Sequence, residues 1–148
     1  MVPIAHVAKY YGKYFLSLAN KEIDLDSDTL KVMLCSSSYV PDQDTHRYKS
    51  DVTNEITGTG YTAGGATLSS VVSAYTGASN LWSLDAADVQ WTGATFTARV
   101  AVLYDATPAS DSTRPLIGYI LFDADIPVTS STFTVAWDAS GIATMTVS

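Results

Sequence analysis

The chain has little of what catalytic sites are usually built from. Its 148 residues hold one cysteine and two histidines. The lone Cys35 cannot close an intrachain disulfide, so no disulfide framework is possible. It fits a reducing compartment such as the cytosol in which the chain is made. His6 and His46 stand in no recognisable motif with Cys35, and no G-x-S-x-G occurs. A hydrolytic enzyme needs a positioned nucleophile, base and orienting acid, and none is legible, so no enzyme is expected. Basic residues are also scarce, eight against fifteen acids, for a net charge of −7. Nucleic-acid binding relies on Lys and Arg neutralising phosphates, so the balance argues against it. No run approaches the roughly 18 apolar residues of a membrane span. The opening MVPIAHVAKYYGKYF lacks the early charge, apolar run and cleavage site of a secretory signal.

The chain is long enough for a core. One domain over residues 1–148 is expected, burying roughly 68–70% of the surface that the unfolded chain exposes. Its charge is uneven. Residues 1–50 are neutral overall, and the whole −7 falls on residues 51–148.

Two stretches imitate ligand motifs and fail on context. Asp24, Asp26 and Asp28 open like a calcium loop, but Thr29 stands where the glycine is needed and Cys35 where the glutamate is needed. A polar turn is the simpler reading, and no metal is expected. Thr57–Gly65, TGTGYTAGG, contains a relaxed G-x-G-x-x-A. No apolar strand precedes it and no helix can follow Gly64-Gly65, so it reads as a turned loop and no nucleotide cofactor is expected.

Periodicity defines the fold. Val7, Tyr10, Tyr11, Tyr14, Phe15 and Leu18 share one helical face, which predicts a helix over about 5–20. The rest, about 29–148, reads as strands. Thr29–Ser36 alternates cleanly. Thr95–Tyr104 places Phe96, Ala98, Val100, Val102 and Tyr104 on one face. Leu116–Phe122 is apolar on both faces, as in a strand covered on both sides. The Asp105–Pro115 link is polar and doubly proline-stiffened. Ala66–Tyr75, Leu81–Leu84 and Val89–Trp91 are further strand candidates. Pro127 reads as a turn within Asp123–Thr129, and Phe133–Trp137 with Ile142–Val147 as a closing hairpin. Asp42 or Asp44 is placed to cap a short helix through Arg47, Tyr48 and Val52. The expected class is mainly β, an antiparallel β-sandwich or flattened barrel, jelly-roll-like in one version, with one N-terminal α-helix.

Three blocks carry a resemblance as a set. They are Phe15–Leu68 (FLSLANKEIDLDSDTLKVMLCSSSYVPDQDTHRYKSDVTNEITGTGYTAGGATL), Ala98–Phe122 (ARVAVLYDATPASDSTRPLIGYILF) and Phe133–Val147 (FTVAWDASGIATMTV). In this order and spacing they resemble a family of small virion structural proteins of tailed bacteriophages and prophages. The resemblance implies a structural component without a catalytic site. It implies a capsid decoration or cement protein on the outside of the head, made in the host cytoplasm. Its partners would be the major capsid protein and its own copies, as homodimer or homotrimer. A head-fibre base or minor tail protein is the alternative. A host-surface carbohydrate module, with Trp82, Trp91 and Trp137 stacking on sugars, is the second. Candidate partner contacts are Tyr10, Tyr11 and Tyr14 on the helix, Tyr39, Arg47 and Tyr48 in the next loop, Tyr61 in the glycine loop, and Ser110 and Arg114 in the Asp105–Pro115 link. Tyrosine is favoured at interfaces because it couples a large area to a polar tip.

Overall fold

The strongest strand signals lie side by side. In the computed structural model, which describes residues 6–148, the order is β1 (His6–Tyr10), α1 (Gly12–Ala19), β2 (Leu30–Cys35), β3 (Ala66–Thr67), β4 (Val72–Thr76), β5 (Leu81–Asp85), β6 (Val89–Asp105), β7 (Leu116–Val135) and β8 (Ala143–Thr146). One sheet runs β1-β7-β6-β2-β3 and the other β4-β5-β8. Every pairing is antiparallel. The architecture is therefore mainly β, with two open antiparallel sheets and one helix, consistent with a sandwich or flattened barrel.

β6 and β7 dominate. They span 17 and 20 residues and pair from Val89 opposite Val135 to Tyr104 opposite Leu116. This absorbs three segments that the sequence reads as separate: Val89–Trp91, the Asp123–Thr129 turn and Phe133–Val135. Pro127 lies inside β7 opposite Thr97. Past Phe122, no strand among the described residues pairs with the other side of β7, and an open edge tolerates a residue without an N–H.

The faces of β6 are not those of a simple alternation. Phe96 and Ala98 belong to the core between the sheets, together with Ala101 and Leu103. Val100, Val102 and Tyr104 belong to a second core on the opposite face. The phase changes at Arg99. There the register jumps from Ala98↔Ile126 to Val100↔Leu121, leaving Arg99 opposite Phe122–Asp125. A bulge of this kind re-aims every side chain beyond it. The expectation for β7 holds. Leu116, Tyr119 and Leu121 face the second core, while Ile117, Ile120 and Phe122 face the first.

The first core joins the sheets through Leu84 and Ala143 packed against Val32, Trp91, Phe96 and Phe133. The aromatic group is edge-packed, with Phe96 and Phe133 centroids 5.6 Å apart at 71°. The second core lies under the segment after β2, which contributes Tyr39 and Val52.

Several expectations need correction. Residues 6–10 of the expected helix are strand β1, and the helix begins at Gly12; Ala5, its expected start, lies outside the described residues. β7 offers these residues a ladder of backbone hydrogen bonds, which outweighs a helical pattern. Gly118 permits the approach, because a Cβ there would sit 2.9 Å from the Lys9 carbonyl oxygen. The closing hairpin does not form. Phe133–Val135 pairs with β6, and β8 pairs with β5. Ala66–Tyr75 is split into β3 and β4. The capped helix near Arg47 is only a 3-10 turn at Lys49–Asp51, held by the Asp51 carboxylate accepting from Arg47 and Tyr48 N–H groups.

Cys35 is fully buried in the second core. Burial, with the Glu55 charge adding to it, pushes its thiol up to about 12. It stays protonated at neutral pH and behaves as a small apolar side chain. In the native protein Cys35 should resist iodoacetamide and react only after urea unfolding. Rapid labelling of the folded chain would contradict this packing.

Candidate functional site

Burial divides the predicted contact residues into two sets. Tyr11, Tyr14 and Tyr39 are 0%, 1% and 3% exposed, so they have no area to offer a partner. They are core, and each is placed by packing that the sequence does not reveal. The Tyr11 hydroxyl lies 2.8 Å from that of Tyr39, which in turn lies 3.0 Å from His46 Nδ1. This chain pins the loop after β2 to the second core. Tyr10 is half-buried and stacks on Tyr14. Tyr61 is also half-buried. Its hydroxyl donates to Glu55 and accepts from the Leu34 N–H, and its ring packs near Trp91 and Phe96. Trp91 is buried, so it has no face for a sugar, and Trp82 and Trp137 are half-buried with their indole N–H groups bound to Ser73 and Ala87.

Arg47, Tyr48, Ser110 and Arg114 are brought together at the surface. The backbone of 47–50 is zipped to the Asp105–Pro115 link by Lys49 N–H to Arg114 carbonyl, Ser50 N–H to Asp111 carbonyl and Leu116 N–H to Arg47 carbonyl. Arg47 pairs with Glu22 at 2.8 Å and lies over the Tyr48 ring. Ser110 closes the tip of the link by hydrogen bonding with Ser112 and Thr113.

Beside this zipper is an open recess of about 550 Å³ whose charged lining comprises Lys31, Lys49, Glu55, Asp111 and Arg114. Three of the chain's eight basic residues meet here, against two acids. Asp111 is already neutralised. It accepts from Lys49 Nζ at 2.7 Å and from Arg114 at 2.8 Å, and these contacts, Lys49 foremost, hold its carboxyl below the usual range. Arg114 Nε also donates to the Pro108 carbonyl, fixing the guanidinium. Glu55 accepts from Tyr61 and from the Gly64 N–H. The Lys31 ammonium makes no hydrogen bond or ion pair among the described residues. A fixed guanidinium and an uncommitted ammonium suit a carboxylate or another anionic group.

The glycine loop forms one wall. The Tyr104 hydroxyl donates to the Gly64 carbonyl, and burial pushes that phenol up to about 12. Gly65 has φ of 77°, and a Cβ there would run into the Val32 carbonyl. The glycines let this loop lie flat on β2, which is a structural reason for their presence. Sequence reasoning missed Lys31, Lys49 and Tyr104, because they come from three distant segments with no common motif.

Asp24–Asp28 is a turn closed on itself, with Asp24 accepting from Asp26 N–H and Asp28 from Asp24 N–H. Among the described residues, no three His, Cys, Asp or Glu side chains gather as metal ligands, and no helix is long and apolar enough to cross a membrane.

No family model, curated protein or solved structure matches the chain.

At the root of the recess Asp105 is fully buried. Its Oδ1 accepts from Thr107 N–H, and its Oδ2 has no hydrogen-bond partner. Burial, with the Asp28 carboxyl beside it, pushes Asp105 up to about 6. The folded chain thus holds this proton more tightly than the unfolded chain, whose aspartate titrates near 3.9. This contribution is fully present below about pH 4 and is lost as pH rises through about 6. Asp105→Asn, which keeps a donor towards Asp28, should raise the melting temperature at pH 7. The gain should shrink towards zero at pH 4. A constant difference across that range would reject the assignment.

Proposed function

We propose that this chain is a bacteriophage virion structural protein, a capsid decoration protein that binds the outside of the head lattice and stabilises it against DNA pressure. The sequence blocks at Phe15–Leu68, Ala98–Phe122 and Phe133–Val147 support the family. The observation that carries the contact is the recess. Lys31 on β2 meets Lys49 and Arg114, which lie on two segments zipped to one another, so three cations face two acids in one recess. In an acidic chain this is the region suited to an acidic surface of a major capsid protein.

Pre-ordered loops favour such a role. Loops already fixed in their bound shape lose less freedom on docking, so more of the contact energy appears as affinity. A decoration protein meets many identical sites. Binding as a homodimer or homotrimer lets several weak contacts act together. A protein that binds the assembled lattice but not dissociated subunits stabilises the lattice by mass action.

Particles lacking the protein should assemble but release DNA at a lower temperature than complete particles. Equal heat resistance would overturn the stabilising role, and immunogold label confined to the tail would move the protein to a tail or fibre station. Lys31→Glu should weaken affinity for heads about tenfold, equivalent to ~1.4 kcal/mol, read as lower occupancy at sub-saturating protein, without changing the melting temperature of the free chain. Unchanged affinity would remove the recess from the contact.

A further inference from the structure

The sheet edges are managed very unequally. An exposed strand edge is a template for another strand, and folded proteins blunt edges with charge, proline, bulges, brevity or a cover. β1 carries Lys9. β3 has only two residues. β7 beyond Phe122 carries Asp123, Asp125 and Pro127. The outer side of β6 over 89–97 is broken by register shifts and met by Thr59 at Thr95. β8 has only four residues, and its Thr144 shares a recess with Tyr10 of β1.

β4 has none of these protections. Its five residues, VSAYT, contain no charge and no proline. It pairs with β5 in unbroken register from Val72↔Asp85 to Thr76↔Leu81, and no described strand covers its other side. Val72 and Tyr75 are 54% and 56% exposed. Tyr75 lies opposite Trp82 on β5, which in turn lies opposite Met145 on β8, so an apolar row runs inward from the free edge.

The charge pattern selects the occupant. No charged residue lies between Glu55 and Asp85, and none follows Asp138, although the chain carries −7. Two such acidic chains repel one another wherever their acids face. Strands β4, β5 and β8 bear one charged residue in all, Asp85 at the end of β5. A copy can approach this sheet without opposing charge.

We propose that β4 pairs antiparallel with β4 of a second copy of this chain across a twofold axis, joining the two three-stranded sheets into one. Such a contact is isologous, so it closes at two copies. The backbone ladder supplies direction, and Val72, Tyr75 and their neighbours supply apolar area. This gives a surface to the self-association in the decoration reading. It rests on that reading only for its biological use, since the pairing itself is measured on the free protein.

The test is solution mass by light scattering over the micromolar range, for the wild type and for Ala74→Lys, which places a charge at an exposed mid-edge position. The wild type should have the mass of two protomers, and Ala74→Lys should weaken association at least tenfold while still melting in a single cooperative transition. Ala74→Cys supplies a second reading, because Cys35 is buried. Mild oxidation should link the introduced thiols into a dimer, whereas Thr113→Cys, on the remote link, should stay unlinked. A monomeric wild type would overturn the proposal. So would a folded Ala74→Lys that keeps the wild-type mass, or an Ala74→Cys that fails to cross-link. Particle heat resistance is scored separately, so a monomer that still protects heads would sink the pairing and leave the decoration role standing.

Discussion

The fold hangs on the change of phase at Arg99. A long hairpin with regular alternation would have one apolar face and one wet face. Here the jump from Ala98↔Ile126 to Val100↔Leu121 gives β6 two apolar faces in succession. From Val100 to Asp105 every residue is buried. Both sides of the sheet therefore need a cover. One cover is the three-stranded sheet, through Leu84 and Ala143, and the other is the segment bearing Tyr39. Arg99 itself stays partly exposed and reaches Asp125 at 3.4 Å, across the strand residues that its bulge displaces. An exposed pair of this kind contributes little energy. Its effect is to occupy the irregular position with groups that tolerate water.

The second cover explains why the loops are ordered. A loop over an apolar sheet must satisfy the polar groups that it buries. Tyr11, Tyr39 and His46 do this as a chain of hydrogen bonds, and Asp51 and Asp42 satisfy backbone N–H groups nearby. Removing the middle member would leave a buried hydroxyl unpaired, which costs about 1–3 kcal/mol. The tyrosines that looked like a contact surface are thus the means by which the loop after β2 is held. Large amphipathic side chains serve both roles equally well in a sequence, and only burial separates them.

The central strands were legible because their patterning is local. Leu30, Val32 and Leu34 alternate with Met33 and Cys35, and the two cores divide them in that way. Leu116–Phe122 was legible as doubly covered for the same reason. The errors lie where a distant partner decides. Val7 and Tyr10 fit a helical face, yet the free edge of β7 and the absent side chain of Gly118 draw them into a strand. Phe133–Trp137 and Ile142–Val147 have hairpin spacing, but β5 and β6 compete for them and win. The recess was illegible for a similar cause. Lys31 reads as the polar side of a strand, and its meeting with Lys49 and Arg114 exists only after the sheet and the zipper have formed.

Charge segregation then gives the molecule two kinds of surface with different physics. In the proposed decoration role the recess would act through Lys31, Lys49 and Arg114, whose attraction for an anionic group is screened over about 8 Å at physiological salt. The proposed β4 pairing would act through backbone hydrogen bonds and apolar contact, which salt does not screen and excluded salts strengthen. Rising salt should therefore loosen the first contact before the second. A chain using both in this way would leave an acidic surface as a pre-formed pair. The acids that dominate residues 85–138 fit that order of events, since they oppose random approach of copies while the uncharged sheet leaves one direction open.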